Sequence, residues 1–244
     1  MNGEHMWDYS PTEPVSRVRS VPIVECGEPL TDYITGCPRL LVRVGRYRYR
    51  RETLLRTTPA QMLCEASRLL PPGYRLAVVE GWRPPHIQRR MYLAAWRMFR
   101  DRHPDWSEVT LKRVVNRFTA PVNSRVPPPH STGGAVDLML TDESGTVLDH
   151  RTPYKMDDPR AFSMDAPGLS GTAMEVRAIL TAAMLSAGFT NYPSEFWHWS
   201  YGDQGWAYRG GHPNAIYGPI TPEGYLPAPE DDVEAPLELL EQPI

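Results

Sequence analysis

The sequence predicts an α+β domain with a mainly antiparallel central sheet flanked by helices. Two observations lead there. Segments of helical period and short β-rich runs mix along the chain without the strict βαβ alternation that a parallel, doubly wound sheet requires. The 26 prolines and 18 glycines among 244 residues call for many loops and turns, which a helical bundle would not accommodate. Hydrophobic residues at 41% and charged residues at 23% are ordinary for a folded soluble domain and exclude a disordered chain. The length suits one domain with a sizeable core. Its expected limits are 21–217, after a polar arm over 1–20 without periodicity and before a Pro- and Glu-rich, irregular tail over 218–244.

The first strong element is a helix opening at Thr58, where Pro59 fits the first turn and Gln61 completes a capping box with the threonine. Met62, Leu63, Ala66, Leu69 and Leu70 follow helical spacing, and Pro71-Pro72-Gly73 ends the run. Tyr74 to Glu80 then reads as a strand. A second helix starts at Pro84 or Pro85, with Ile87, Met91, Ala94, Ala95, Met98 and Phe99 on one stripe. A shorter helix follows near 107–116. Residues 120–134 hold too many prolines and glycines for regular structure, and they deliver the chain to a strand from Ala135 to Leu140. A loop covers 141–170. The fourth helix, about 172–187, buries Ala173, Val176, Ile179, Leu180, Ala183 and Met184 and stops at Gly188. An aromatic strand lies around 196–201.

A formal net charge of −3 gives no reason to expect nucleic acid or membrane as partner. The alternation of Arg43, Arg46, Arg48, Arg50 and Arg51 with Tyr47 and Tyr49 reads as a strand with one solvated face. No apolar run approaches the ~18 residues of a membrane span. Neither a signal peptide nor an anchor is visible, so the cytoplasm is the expected compartment. Cys26, Cys37 and Cys64 lack paired metal-ligand spacing and read as free thiols in reducing surroundings.

Three segments carry chemistry. His130 ends a proline-stiffened loop, and Asp137 follows it by seven residues inside a strand. A catalytic zinc needs three nitrogen, oxygen or sulfur ligands and one position for water, and His198 is the natural third. Glu195 stands three residues before His198. On an ideal strand the two would face opposite sides, so Glu195 must sit in the loop after Pro193-Ser194 or at a bulge for both to approach one ion. Arg83 lies between a strand and a helix, at a sheet edge where active-site loops gather.

The segments Glu80-Gly-Trp-Arg-Pro-Pro, Pro129-His-Ser-Thr-Gly-Gly-Ala-Val-Asp and Asn191-Tyr-Pro-Ser-Glu-Phe-Trp-His-Trp-Ser-Tyr-Gly-Asp together resemble the VanX-type D-alanyl-D-alanine dipeptidases. These are zinc D,D-peptidases, related by fold to the amino-terminal domain of hedgehog proteins. The resemblance covers residues 21–210. It implies a single zinc ion on His130, Asp137 and His198, with Glu195 as the base and Arg83 beside the scissile carbonyl. The implied reaction is hydrolysis of the amide bond of a small peptide.

Two departures bear on substrate. Pro128 replaces a serine common in the family. The family's Gly-Thr-Pro-Phe-Asp stretch matches Arg151-Thr152-Pro153-Tyr154-Lys155, which puts Lys155 where a carboxylate helps receive the substrate's ammonium, unless Asp157 or Asp158 takes that part through a shifted loop. Lys155, Arg151, Tyr154 and Trp82 are therefore the candidate specificity residues. The alternatives are a zinc fold repurposed for a modified amino acid or peptide derivative in a specialised-metabolite pathway, and a binding domain with a structural zinc. A structural site has no use for a free base such as Glu195.

Overall fold

The computed structural model describes residues 13–121, 123–155 and 158–240. Along the chain run α1 (Val15–Ser20), β1 (Leu30–Asp32), α2 (Tyr33–Gly36), β2 (Leu41–Val42), β3 (Tyr47–Arg48), β4 (Leu54–Arg56), α3 (Thr57–Leu69) and β5 (Tyr74–Glu80). Then come α4 (Pro85–Arg102), α5 (Glu108–Phe118), β6 (Ala135–Asp142), α6 (Gly171–Ser186), β7 (Thr190–Asn191), β8 (His198–Ser200), α7 (Gln204–Gly210) and β9 (Glu238–Leu239). Short 3₁₀ turns occupy Pro129–Thr132 and Pro159–Ala161.

Five strands form the central sheet in the order β2-β5-β6-β8-β7. The β2–β5 pairing is parallel, and the other three are antiparallel. The chain is thus α+β with a mixed sheet flanked by helices. No pattern announced the parallel edge, because β2 is too short to show a period.

The pleat divides the sheet into two faces. Val136, Leu138 and Leu140 of β6 join Leu76 and Val78 of β5, Trp199 of β8, Leu63 of α3, and Leu180 and Met184 of α6 in the main core. Asp137 and Met139, which alternate with them, open instead on a cavity that Val79 and His198 also line. The apolar face fixes the register, since a one-residue slip would exchange the two sets.

Several expectations are corrected. α3 begins at Thr57 with no side-chain cap of its own. The orphan N–H of Thr58 is met by Glu28 Oε1, 2.9 Å away, so a carboxylate thirty residues upstream replaces the local capping box. Within the amino-terminal arm, Val15–Ser20 is helical and Glu13 pairs with Arg209 at 2.8 Å; residues 1–12 lie outside the described ones. Cys37 and Cys64 are joined by a disulfide, their Cα atoms 5.6 Å apart, because α2 packs against α3. That proximity is tertiary and invisible in the spacing. Cys26 is free and exposed. Among the described residues no helix is long and apolar enough to cross a membrane.

The segment after 217 is irregular but tied down. Ile220 accepts from Trp82 Nε1 and donates to the Ser131 carbonyl, both at 2.9 Å. Asp231 receives Arg90 at 2.7 Å and the Arg50 amide at 2.9 Å. Leu237 is buried with Ile87, Met91 and Tyr47, and β9 pairs with β3. The arginine–tyrosine alternation around β3 follows from this: Tyr47 is buried and Arg48 and Arg50 are exposed.

Candidate metal centre

Sheet register builds the centre. Glu80 of β5 stands opposite Asp137 of β6, and Asp137 stands opposite His198 of β8. The three form one cross-strand row, with an irregularity between Val78 and Glu80 that brings the last residue of β5 into line. His130 comes from the 3₁₀ turn that Gly133 closes with φ of 73°, a conformation that favours glycine. A Cβ there would press on Leu30. The imidazole is fixed by Nδ1 against the Gly81 carbonyl at 2.9 Å, and the Arg83 amide donates to the His130 carbonyl at 3.1 Å.

Asp137 Oδ1 lies 3.3 Å from His130 Nε2 and 2.9 Å from His198 Nδ1. One donor atom from each of the three residues falls within 4.8 Å of the others. Burial opposes ionisation of Asp137, yet the two imidazoles hold its carboxyl well below the usual range. Burial pushes His130 down, which favours its neutral form. Burial also works against charge on His198, but its hydrogen bond to Asp137 and that residue's charge raise it overall. With Nδ1–H of His130 engaged by a carbonyl, its Nε2 lone pair faces the group. Two imidazole nitrogens and a carboxylate oxygen are a donor set that zinc accepts, so these residues fit the ion.

Glu195 sits in the turn before β8, where the His198 amide donates to its carbonyl at 3.1 Å. The turn removes the strand geometry that would have set Glu195 and His198 on opposite sides. Burial, with the charge of Asp137, pushes the Glu195 carboxyl up to about 7 against the pull of His198 and Arg83. Arg83 donates to Gln88 Oε1 at 2.8 Å and approaches Glu80 at 3.4 Å, while its buried Nε has no partner. Tyr49 donates to the same Glu80 oxygen that Arg83 approaches, and burial lifts that carboxyl to about 7.

Sequence reasoning missed Glu80, Tyr49 and Gln88 as the brace of Arg83, although Glu80 opens one of its motifs. It also missed Arg56, buried between segments distant in sequence. Arg56 donates to the Thr132 carbonyl at 2.9 Å, to Glu25 at 3.0 Å and to the Gly218 carbonyl at 3.1 Å.

His130, Asp137, His198, Glu195 and Arg83 all line one cavity of about 870 Å³. Of the specificity candidates, Arg151 lines it too, with Phe162 and Trp197. Trp82 does not; its ring is wholly buried because its Nε1–H is tied to Ile220. Tyr154 donates to the Pro167 carbonyl and lies under Arg160. Lys155 is exposed and outside the lining. Asp158 is engaged by Arg160 at 2.6 Å, and Asp157 lies outside the described residues.

Two imidazoles and a carboxylate gathered from two strands and a 3₁₀ turn, with a second carboxylate and an arginine on the same cavity, are an arrangement of the hydrolase type. Residues 40–217 match the D-ala-D-ala dipeptidase family, and the chain belongs to that family. A D-alanyl-D-alanine dipeptidase of Synechocystis sp. is 30% identical over 243 residues, covering 85% of this chain and 98% of the relative. A D-alanyl-D-alanine dipeptidase of Escherichia coli is 29% identical over 126 residues, about half of each protein. The chain is therefore a peptidase-like hydrolase.

Proposed function

We propose that this protein is a zinc-dependent dipeptidase that hydrolyses the amide bond of a small peptide, D-alanyl-D-alanine being the substrate its family suggests. The observation that carries the reading is the convergence of His130, Asp137, His198, Glu195 and Arg83 on one cavity. His130, Asp137 and His198 would hold the ion. Zinc, when bound, supplies a Lewis acid that polarises a carbonyl and makes water more acidic.

The chain's own groups account for the proton and the charge. As water oxygen adds to the amide carbon, Glu195 takes a proton from that water; as the C–N bond breaks, it returns the proton to the leaving amine. A carboxyl near pH 7 is suited to both transfers. Arg83, with an unengaged Nε–H, faces the negative charge that develops on the carbonyl oxygen, a role worth ~3–4 kcal/mol where single donors have been removed elsewhere. Glu80, Tyr49 and Gln88 keep its guanidinium from swinging away.

The test is hydrolysis of D-alanyl-D-alanine and its L,D and L,L isomers by zinc-loaded protein, followed by mass spectrometry, with Glu195→Gln alongside. The variant should keep its zinc and lose about 10²–10⁴-fold in kcat. Absence of free amino acids from every isomer would refute the dipeptidase reading, and unchanged turnover in the variant would move the base elsewhere.

A further inference from the structure

Arg151 differs from the other arginines around the centre. It lines the same cavity as Glu195 and His198, its Nε is buried without a hydrogen-bond partner, and its side chain makes neither ion pair nor hydrogen bond among the described residues. Its guanidinium carbon lies 5.6 Å from the centre of the Phe196 ring. Asp149, whose charge acts on Arg151, accepts from the backbone amides of Arg151 and Thr152, both at 2.9 Å, and not from the guanidinium.

A second cation adds to the imbalance. Arg177 lies 4.1 Å from the same ring centre. It is engaged by the carbonyls of His150, Ser163, Met164 and Ala161, which bring no net negative charge. The carboxylates on the cavity face other partners: Glu80 pairs with Arg83, Asp137 with the imidazoles and Glu13 with Arg209, Asp203 caps the start of α7, and Glu195 lies in the field of His198 and Arg83. A partly desolvated guanidinium without a counter-ion is costly, and a planar carboxylate is the group that best relieves it, through two parallel N–H···O bonds.

We propose that Arg151 is a specificity-determining residue that receives a carboxylate of the substrate. This rests on reading the cavity as a peptide site. The carboxylate has two possible sources, the carboxyl terminus of the leaving amino acid or an acidic group on the residue that keeps the carbonyl.

Calorimetry on zinc-loaded Glu195→Gln protein, with and without Arg151→Met, separates them. The probes are N-succinyl-D-alanyl-D-alanine, N-acetyl-D-alanyl-D-alanine and N-acetyl-D-alanyl-D-alanine amide. Arg151→Met should weaken the acids by about ten- to a hundredfold and leave the amide unchanged. A loss shared by both acids assigns the terminal carboxylate; one confined to the succinyl probe assigns the other side. Equal loss for acids and amide, no loss at all, or no binding of the acids to protein that retains Arg151 overturns the proposal. Should Arg151→Met not fold, Arg151→Lys keeps the charge without the fork and should weaken the acids several-fold while sparing the amide. Protein that binds the acids through Arg151 but cleaves no peptide would keep this inference and lose the dipeptidase reading.

Discussion

On the sheet side of the cavity, Asp137 faces both imidazoles, His130 is held by the Gly81 carbonyl, and Glu80 and Gln88 brace Arg83. On the loop side, between Asp149 and Phe162, Arg151 presents a guanidinium with no hydrogen bond or ion pair among the described residues. The sheet side is fixed by strand register and by a core that a slip would expose. The loop side is set by turns, with room for other side chains. On the proposed reading, the contrast puts the hydrolytic chemistry on the sheet side and the choice of substrate on the loop.

The largest effect that can sharpen this comparison comes from the sheet side. His198→Ala removes one of the three proposed zinc ligands, and the purified variant should lose most of its zinc and, with it, turnover, while circular dichroism stays that of the parent. Elemental analysis with zinc unchanged would break the ligand assignment.

A smaller effect arises where the two sides meet. His150 opens the loop and accepts from the Leu140 amide of β6 at 3.1 Å; burial pushes its pKa down to about 4. Below its unfolded value of ~6.5 the unfolded chain takes up a proton that the folded chain refuses until about pH 4. Stability present above pH 6.5 is therefore lost as pH falls, by ~2 kcal/mol at pH 5. Denaturant midpoints at pH 7.5 and 5 should separate more for wild type than for His150→Gln at equal zinc loading. Equal separations would show that this imidazole is not what couples loop to sheet.

The smallest effect is expected at Lys155, exposed and away from the lining. Lys155→Asp should leave kcat/KM on D-alanyl-D-alanine within about twofold, since exposed charges are well screened. A tenfold rise would bring this part of the loop into the site and blur the division between the two sides.

What was legible in the sequence follows the same division. The helices at 57–69, 85–102, 108–118 and 171–186 show in periodicity and punctuation, and β5 and β6 in their apolar runs. His130, Asp137 and His198 stand out because two motifs contain them, and the fold brings the three together. Glu80, Tyr49, Arg56 and the Cys37–Cys64 pair were not readable, because each acts through residues far away in the chain. The loop was least legible: aligned by motif alone, Lys155 looked like the substrate-facing charge, whereas the fold turns Arg151 toward the cavity. Spacing specifies an order of residues but does not say which way an irregular segment bends.

The strap that runs from Gly218 to Leu240 also matters for where a gene is cut. The family match ends at Tyr217, yet beyond it lie the acceptor for Trp82, the partner of Arg90 and the leucine that closes the apolar cluster on α4. An expression fragment trimmed to the matched region would encode the whole metal group and leave the Trp82 indole and the Arg90 guanidinium without these partners. The stretch that carries the family match is thus shorter than the stretch that supplies these contacts.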